Sequence, residues 1–256
     1  MYDPLARHCA IQSIVTRDTA QGQLRKYYRF RADRWYGGIA TADVVGCGML
    51  CKFCWVSKNI LEQPDALGQF LAPEEVAQKL VRVANSRRLA QMRLSGGEPT
   101  IGRAHLLKVL SEIEEQRRFR FILETNGILL GADPSYCDDL AAFGCLHVRV
   151  SLKGSCEDEF EKLTGANGEG FKQQLEALRN LRKARVSCHP AVMSSFSTKR
   201  SMCQLRDRVS QIEQRLVSDL EVEELIRYPR VERQLQRYGL MPSVSHDPRN
   251  VPEQLV

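Results

Sequence analysis

The densest chemistry in the chain lies in one short run, Gly46-Cys47-Gly48-Met49-Leu50-Cys51-Lys52-Phe53-Cys54-Trp55. Three cysteines stand at spacings of three and two, directly after a β-rich segment. A loop this short folds three thiolates around one face of a cubane iron–sulfur cluster and leaves the fourth iron open to a ligand. Gly46 and Gly48 permit the tight backbone path. A structural zinc ion is an alternative, but it wants four closed ligands, and no second CxxC or His pair follows. Free thiols packed as small hydrophobes are the other alternative. The six remaining cysteines, Cys9, Cys137, Cys145, Cys156, Cys188 and Cys203, form no CxxC. Cys137, Cys145 and Cys156 flank one predicted strand and offer ligands for an auxiliary cluster, although packing is the simpler role.

Further polar motifs recur at the ends of predicted strands. Arg93-Leu94-Ser95-Gly96-Gly97-Glu98-Pro99 closes one, Glu124-Thr125-Asn126-Gly127 the next, and Ser151-Leu152-Lys153 the one after. Glycines let backbone carbonyls approach an ammonium group, and a lysine suits a carboxylate. His189-Pro190 lies on a later strand, where either core packing or a contact with a bound molecule fits. His147 begins a strand and reads as structural, on an otherwise apolar face.

These motifs need a scaffold, and the chain supplies alternating segments. Strand-like runs cover 39–45, 91–95, 119–124, 146–152, 185–193 and 220–225. Helix-like runs cover 73–85, 105–116, 135–143, 171–184 and 199–216. The crossovers are long enough for parallel strands. About six such units build an α/β fold, either a partial (β/α) barrel or an open doubly wound sheet. Either places its chemistry at the carboxyl ends of the strands. Three parts are expected: a basic aromatic N-terminal arm over 1–38, a catalytic barrel over 39–226 and an extended C-terminal tail over 227–256.

Hydrophobic residues make up 43% of the 256 and charged residues 27%, which is globular and not disordered. No apolar run approaches the roughly 18 residues of a membrane span, so no membrane partner is expected. The Met1-Tyr2-Asp3-Pro4 start lacks a secretory pattern, and a cytoplasmic location is expected. Net charge is +6, and residues 1–38 hold seven Lys/Arg against three Asp/Glu. Within Leu24–Tyr36, five basic residues interleave with aromatics. That pattern suits single-stranded RNA. It equally describes a strand packed on a barrel, which is the reading favoured.

The Cys-x3-Cys-x2-Cys spacing, with Phe53 in the aromatic place, resembles the signature of the radical SAM superfamily. Ser95-Gly96-Gly97-Glu98 resembles that family's segment for the amino group of S-adenosylmethionine (SAM). Glu124-Thr125-Asn126-Gly127 and Ser151-Leu152-Lys153 resemble the Asp-Thr-Asn-Gly and Asp-Leu-Lys of glycyl-radical-enzyme activases, in which the lysine meets the SAM carboxylate. Asp158 to Gly165 is also similar to activases. An acid usually stands where this chain has Ser151, and His is common where it has Trp55. Residues 55–90 are too short for the inserted ferredoxin-like domain of larger activases. With Trp55 the run is also similar to the Cys-x2-Cys-Trp ending of wyosine-forming tRNA enzymes, a weaker resemblance.

The resemblance, over about residues 39–195, implies a partial (β/α)6 barrel. It implies a [4Fe–4S] cluster on Cys47, Cys51 and Cys54, with SAM held near Phe53, Ser95, Gly96, Gly97, Glu98, Glu124, Thr125, Ser151 and Lys153. One-electron reduction, from a donor such as flavodoxin or ferredoxin, would cleave SAM to a 5′-deoxyadenosyl radical that abstracts hydrogen from a substrate. That substrate is a protein, a small molecule or RNA, and no catalytic residue toward it is named. An activase-like enzyme leads, with a tRNA-modifying enzyme or a non-catalytic iron–sulfur protein as alternatives.

Overall fold

The computed structural model describes residues 1–253. Helix α1 (Pro4–Val15) leads into strands β1 (Thr16–Thr19), β2 (Gly22–Asp33) and β3 (Ile39–Val44). After the cysteine loop come α2 (Lys58–Glu62), β4 (Gln69–Leu71), α3 (Pro73–Arg87), β5 (Gln91–Gly96), α4 (Arg103–Glu114) and β6 (Arg120–Thr125). Then follow α5 (Ile128–Ala132), α6 (Pro134–Leu140), β7 (Leu146–Leu152), α7 (Glu157–Thr164), α8 (Glu169–Lys183) and β8 (Cys188–Met193). The chain continues through α9 (Lys199–Ser210), α10 (Gln214–Ser218), β9 (Glu221–Glu223), β10 (Leu225–Ile226), α11 (Pro229–Tyr238) and β11 (Ser245–His246).

Six parallel strands form the heart of the sheet in the order β3-β5-β6-β7-β8-β9. Helices cross between them, giving the α/β architecture expected from the alternation and the partial (β/α)6 arrangement that the resemblance implied. Antiparallel β2 extends the β3 edge, and β1 and β4 pair with β2. The expected arm over 1–38 is therefore a helix and two strands of the main sheet. Arg25 and Lys26 are buried within it, Lys26 donating to the carbonyls of Pro64 and Asp65. These two serve packing, whereas Arg29 and Arg34 of the same arm are exposed.

The expected tail over 227–256 is corrected within the described residues. It forms α11 and then β11, which pairs in parallel with β10. Pro229 starts the helix and Gly239 ends it in a left-handed conformation. The expected tail also covers 254–256, which lie outside the described residues. The expected helix over 199–216 is broken into α9 and α10.

The period-two pattern of β7 determines what faces where. Leu146, Val148, Val150 and Leu152 are buried in the core, which also holds Phe160, Phe171, Leu175 and Leu178. The intervening residues face the other way. Arg149 and Ser151 line the barrel interior. His147 alternates with the apolar set instead of belonging to it, and its ring bonds His189 from the neighbouring strand at 2.6 Å. The reading of His147 as part of an apolar face is thus corrected.

Candidate active site

The cysteine loop leaves β3 and folds against the end of β5. Gly97 donates its N–H to Val44 O and Glu98 donates to Gly46 O, both at 2.8 Å. A side chain at Gly97 would stand 2.1 Å from Gly46 O, so this close pairing of the two motif loops requires glycine there. Cys47, Cys51, Cys54 and Phe53 then line one cavity of about 910 Å³, together with Ser95, Gly96, Gly97 and Glu98. Glu124, Thr125, Ser151 and Lys153 line it too. Every position singled out for cluster or SAM is brought to one chamber at the carboxyl ends of the strands.

The donor set fits a cluster. Burial pushes the Cys47 thiol well above its ordinary range, with Glu98 adding to the effect. Burial likewise pushes Cys51 up to about 12 and raises Cys54, though Lys153 opposes both. Three adjacent thiols in low dielectric become thiolates only when a strong local positive charge compensates them. An iron–sulfur cluster supplies that charge. Among the described residues no three His, Cys, Asp or Glu side chains converge as they would around a single bound ion.

Glu98 has a specific task. Its carboxylate accepts from Thr100 N (3.0 Å), Thr100 Oγ1 (2.7 Å), Thr125 Oγ1 (2.7 Å) and Asn126 N (2.8 Å). It therefore ties the end of β5 to the end of β6, and its side chain is spent on protein donors. Lys153 is different. Its ammonium donates to Ser151 Oγ at 2.6 Å, and no carboxylate pairs with it among the described residues. It is the cation left for an anionic group near Cys51 and Cys54.

Below this layer the interior is charged. Arg93 bridges Glu124 and Asp33, each at 2.7 Å, and Tyr36 and Ser95 also donate to Glu124. Burial alone would raise the Glu124 pKa, but Arg93, Arg149 and these hydrogen bonds hold it below the usual range. Arg149 pairs with Glu221 and Glu223 of β9, each at 2.8 Å. His189 donates its Nε2–H to the Glu221 carboxylate at 3.0 Å and lines the cavity, so its place is at the site and not in the core. Trp55 sits at the rim, 43% exposed, with the guanidiniums of Arg29 and Arg31 over its ring. Arg29 and Arg31 both pair with the buried Asp43.

Sequence reasoning missed several of these groups. Gln174 of α8 donates to Asn126 O and Ser151 O and accepts from Lys153 N, pinning two motif loops together. A polar residue on an otherwise leucine-rich helical face was the available signal. Gln234 of α11 donates to Cys54 O at 2.9 Å. Arg149 could have been found from its alternation with Val148 and Val150, whereas Glu221 and Glu223 on a three-residue strand left no pattern. Cys137, Cys145 and Cys156 are separated. Cys137 is buried on α6 near Leu130 O, the Cys145 backbone bonds Glu114, and Cys156 precedes α7.

The family model described as the Radical SAM superfamily matches residues 41–198. The chain belongs to the radical SAM superfamily, and its cofactors are a [4Fe–4S] cluster and SAM. A Probable GTP 3',8-cyclase of Thermoplasma volcanium is 30% identical over 121 residues, 47% of this chain and 34% of that protein. A GTP 3',8-cyclase of Petrotoga mobilis is 29% identical over 135 residues, 52% of this chain and 39% of that protein. The chain thus matches little more than a third of these relatives' lengths. They are named as cyclases and not as activases, so the superfamily reading stands and the activase resemblance is not carried by the relatives. Native anSMEcpe with bound AdoMet shares the fold, with a TM-score of 0.54 at 17% identity over 70% of this chain and 49% of that one. No helix among the described residues is long and apolar enough to cross a membrane.

Proposed function

We propose that this chain cleaves SAM reductively and directs the resulting radical at a small polar molecule held in the barrel interior. Together, a reduced cluster and SAM supply a hydrogen-abstracting radical. Cys47, Cys51 and Cys54 would hold the cluster, and Lys153 the SAM carboxylate. The backbone of Ser95, Gly96 and Gly97 would receive the amino group, while Glu98 and Thr125 fix the shape of that loop. A one-electron donor such as flavodoxin or ferredoxin would feed the cluster.

The observation that carries the substrate class is the continuity of one cavity from the cysteine loop to the Arg93, Arg149, His189, Glu221 and Glu223 wall. About 910 Å³ is within the range of small-molecule sites. The wall carries charged groups of both signs, which a polar ligand can engage, beside apolar side chains such as Trp55, Met193 and Val222. The relatives' names point to a substrate of the same size class, GTP. On the basic strand β2, Arg25 and Lys26 are spent inside the fold and Arg29 and Arg31 pair with Asp43, which leaves fewer cations for an RNA backbone.

The test is a screen of polar metabolites for acceleration of 5′-deoxyadenosine formation above the substrate-free level. Arg149→Gln should abolish the acceleration by an active compound and leave the substrate-free level intact. Acceleration by a polypeptide or RNA, and by no small polar compound, would overturn the reading.

A further inference from the structure

His8 lies in α1, far from the motifs in sequence, yet it is fully buried against the cysteine loop. A side chain at Gly48 would stand 2.1 Å from its ring, so loop and ring are in direct contact. Its Nδ1 lies 2.6 Å from the Pro4 carbonyl, which can only accept. Nδ1 therefore carries the ring proton, and Nε2 is an acceptor. Nε2 lies 3.0 Å from Asn126 Nδ2. The Asn126 amide cannot be turned around, because its Oδ1 accepts from Ile128 N at 3.0 Å. One amide N–H thus goes to His8, and the same nitrogen lies 3.7 Å from Cys47 Sγ. Every polar atom in the chain Pro4 O, His8, Asn126, Cys47 has a determined direction.

We propose that His8 is a positioning residue for the cluster: through the Asn126 amide it fixes an N–H···S hydrogen bond onto Cys47. This rests on the reading of Cys47 as a cluster ligand. Hydrogen bonds to ligand sulfur draw off negative charge, favour the reduced cluster and so help set its potential. The N-terminal helix, outside the matched family segment, then tunes the metal centre that segment carries.

The test uses the full chain, reconstituted anaerobically without SAM and grown with side-chain 15N-asparagine. Pulsed EPR of the reduced cluster should show 15N coupling from Asn126, a signal that the backbone N–H of Met49, also bonded to Cys47 Sγ, cannot give. His8→Phe should weaken that coupling and lower the reduced-to-oxidised ratio about tenfold at a fixed applied potential, a shift of about 59 mV to more negative values. His8→Gln, which restores an acceptor, should recover much of both. A wild-type cluster of about four irons without 15N coupling would overturn the proposal and leave the cluster reading intact, whether or not His8→Phe folds. Unchanged coupling and potential in a loaded His8→Phe protein would overturn it too. A protein that binds no iron overturns both.

Discussion

Glu98→Gln separates a loop-organising carboxylate from one that holds SAM. The buried side chain accepts four hydrogen bonds, three at Oε1 and one at Oε2. The best-placed glutamine keeps its oxygen at the Oε1 position and presents an NH2 to the Asn126 N–H. A donor then faces a donor, and a buried backbone N–H loses its partner. Losing one charge-assisted bond and leaving that donor unsatisfied costs about 3 kcal/mol, within a range of roughly 2 to 5. Chemical denaturation of the cluster-free protein, under reductant, measures this directly. Thr125→Val should cost less, and the double variant should cost less than the sum because both changes strike one network. If Glu98→Gln changed stability by less than about 0.5 kcal/mol while lowering SAM affinity, the reasoning would be refuted.

Lys153→Ala should weaken SAM binding on the order of 10- to 150-fold, about 1.5 to 3 kcal/mol, with iron content unchanged; equal affinity would contradict its role. His105 is buried, with Nδ1 donating to Gln23 O and Nε2 accepting from Tyr27 Oη, and burial lowers its pKa to about 4. The unfolded chain therefore binds a proton that the folded one refuses, so stability should fall as pH drops from about 6.5 toward 4, by about 3 kcal/mol in all. His105→Gln should flatten that part of the stability–pH curve, and an unaltered slope would count against the assignment. Arg25 is wholly buried and donates to the carbonyls of Ile101, Val15, Lys26 and Glu98. Arg25→Met should cost about 2 to 4 kcal/mol in chemical denaturation by orphaning those carbonyls. An unchanged stability with loss of RNA affinity would instead restore the RNA-binding reading of strand β2.

The motif loops were legible because their chemistry restricts residue type. Three thiols in eight residues have few other uses, and the paired glycines beside an acid, which alone read as a simple turn, gain meaning from standing behind them. The β/α alternation was legible because Leu146, Val148, Val150 and Leu152, or Leu175, Leu178 and Leu181, repeat at the period of their element. What lay between them was harder. A period-two pattern names its apolar face and leaves the other face open, so His147, Arg149 and His189 were not seen as one polar interior. Helix α1 buries Pro4, His8, Ile11 and Val15, only two of which are aliphatic, although Asp3 and Pro4 are capping signals. Helix α11 buries only Val231, Gln234 and Leu235, too few to mark a helix among so many charges. Contacts such as His8 with Asn126 span 118 positions, and nothing local announces them.

The central claim is that Cys47, Cys51 and Cys54 hold a cluster that cleaves SAM. Its most direct measurement is 5′-deoxyadenosine formed by anaerobically reconstituted, chemically reduced protein with SAM and no substrate. The wild-type chain should bind about four irons and form the product slowly, and Cys51→Ala should lose both iron and product. Stoichiometric zinc without iron, or a fully loaded and reduced cluster that forms no 5′-deoxyadenosine, would contradict the account.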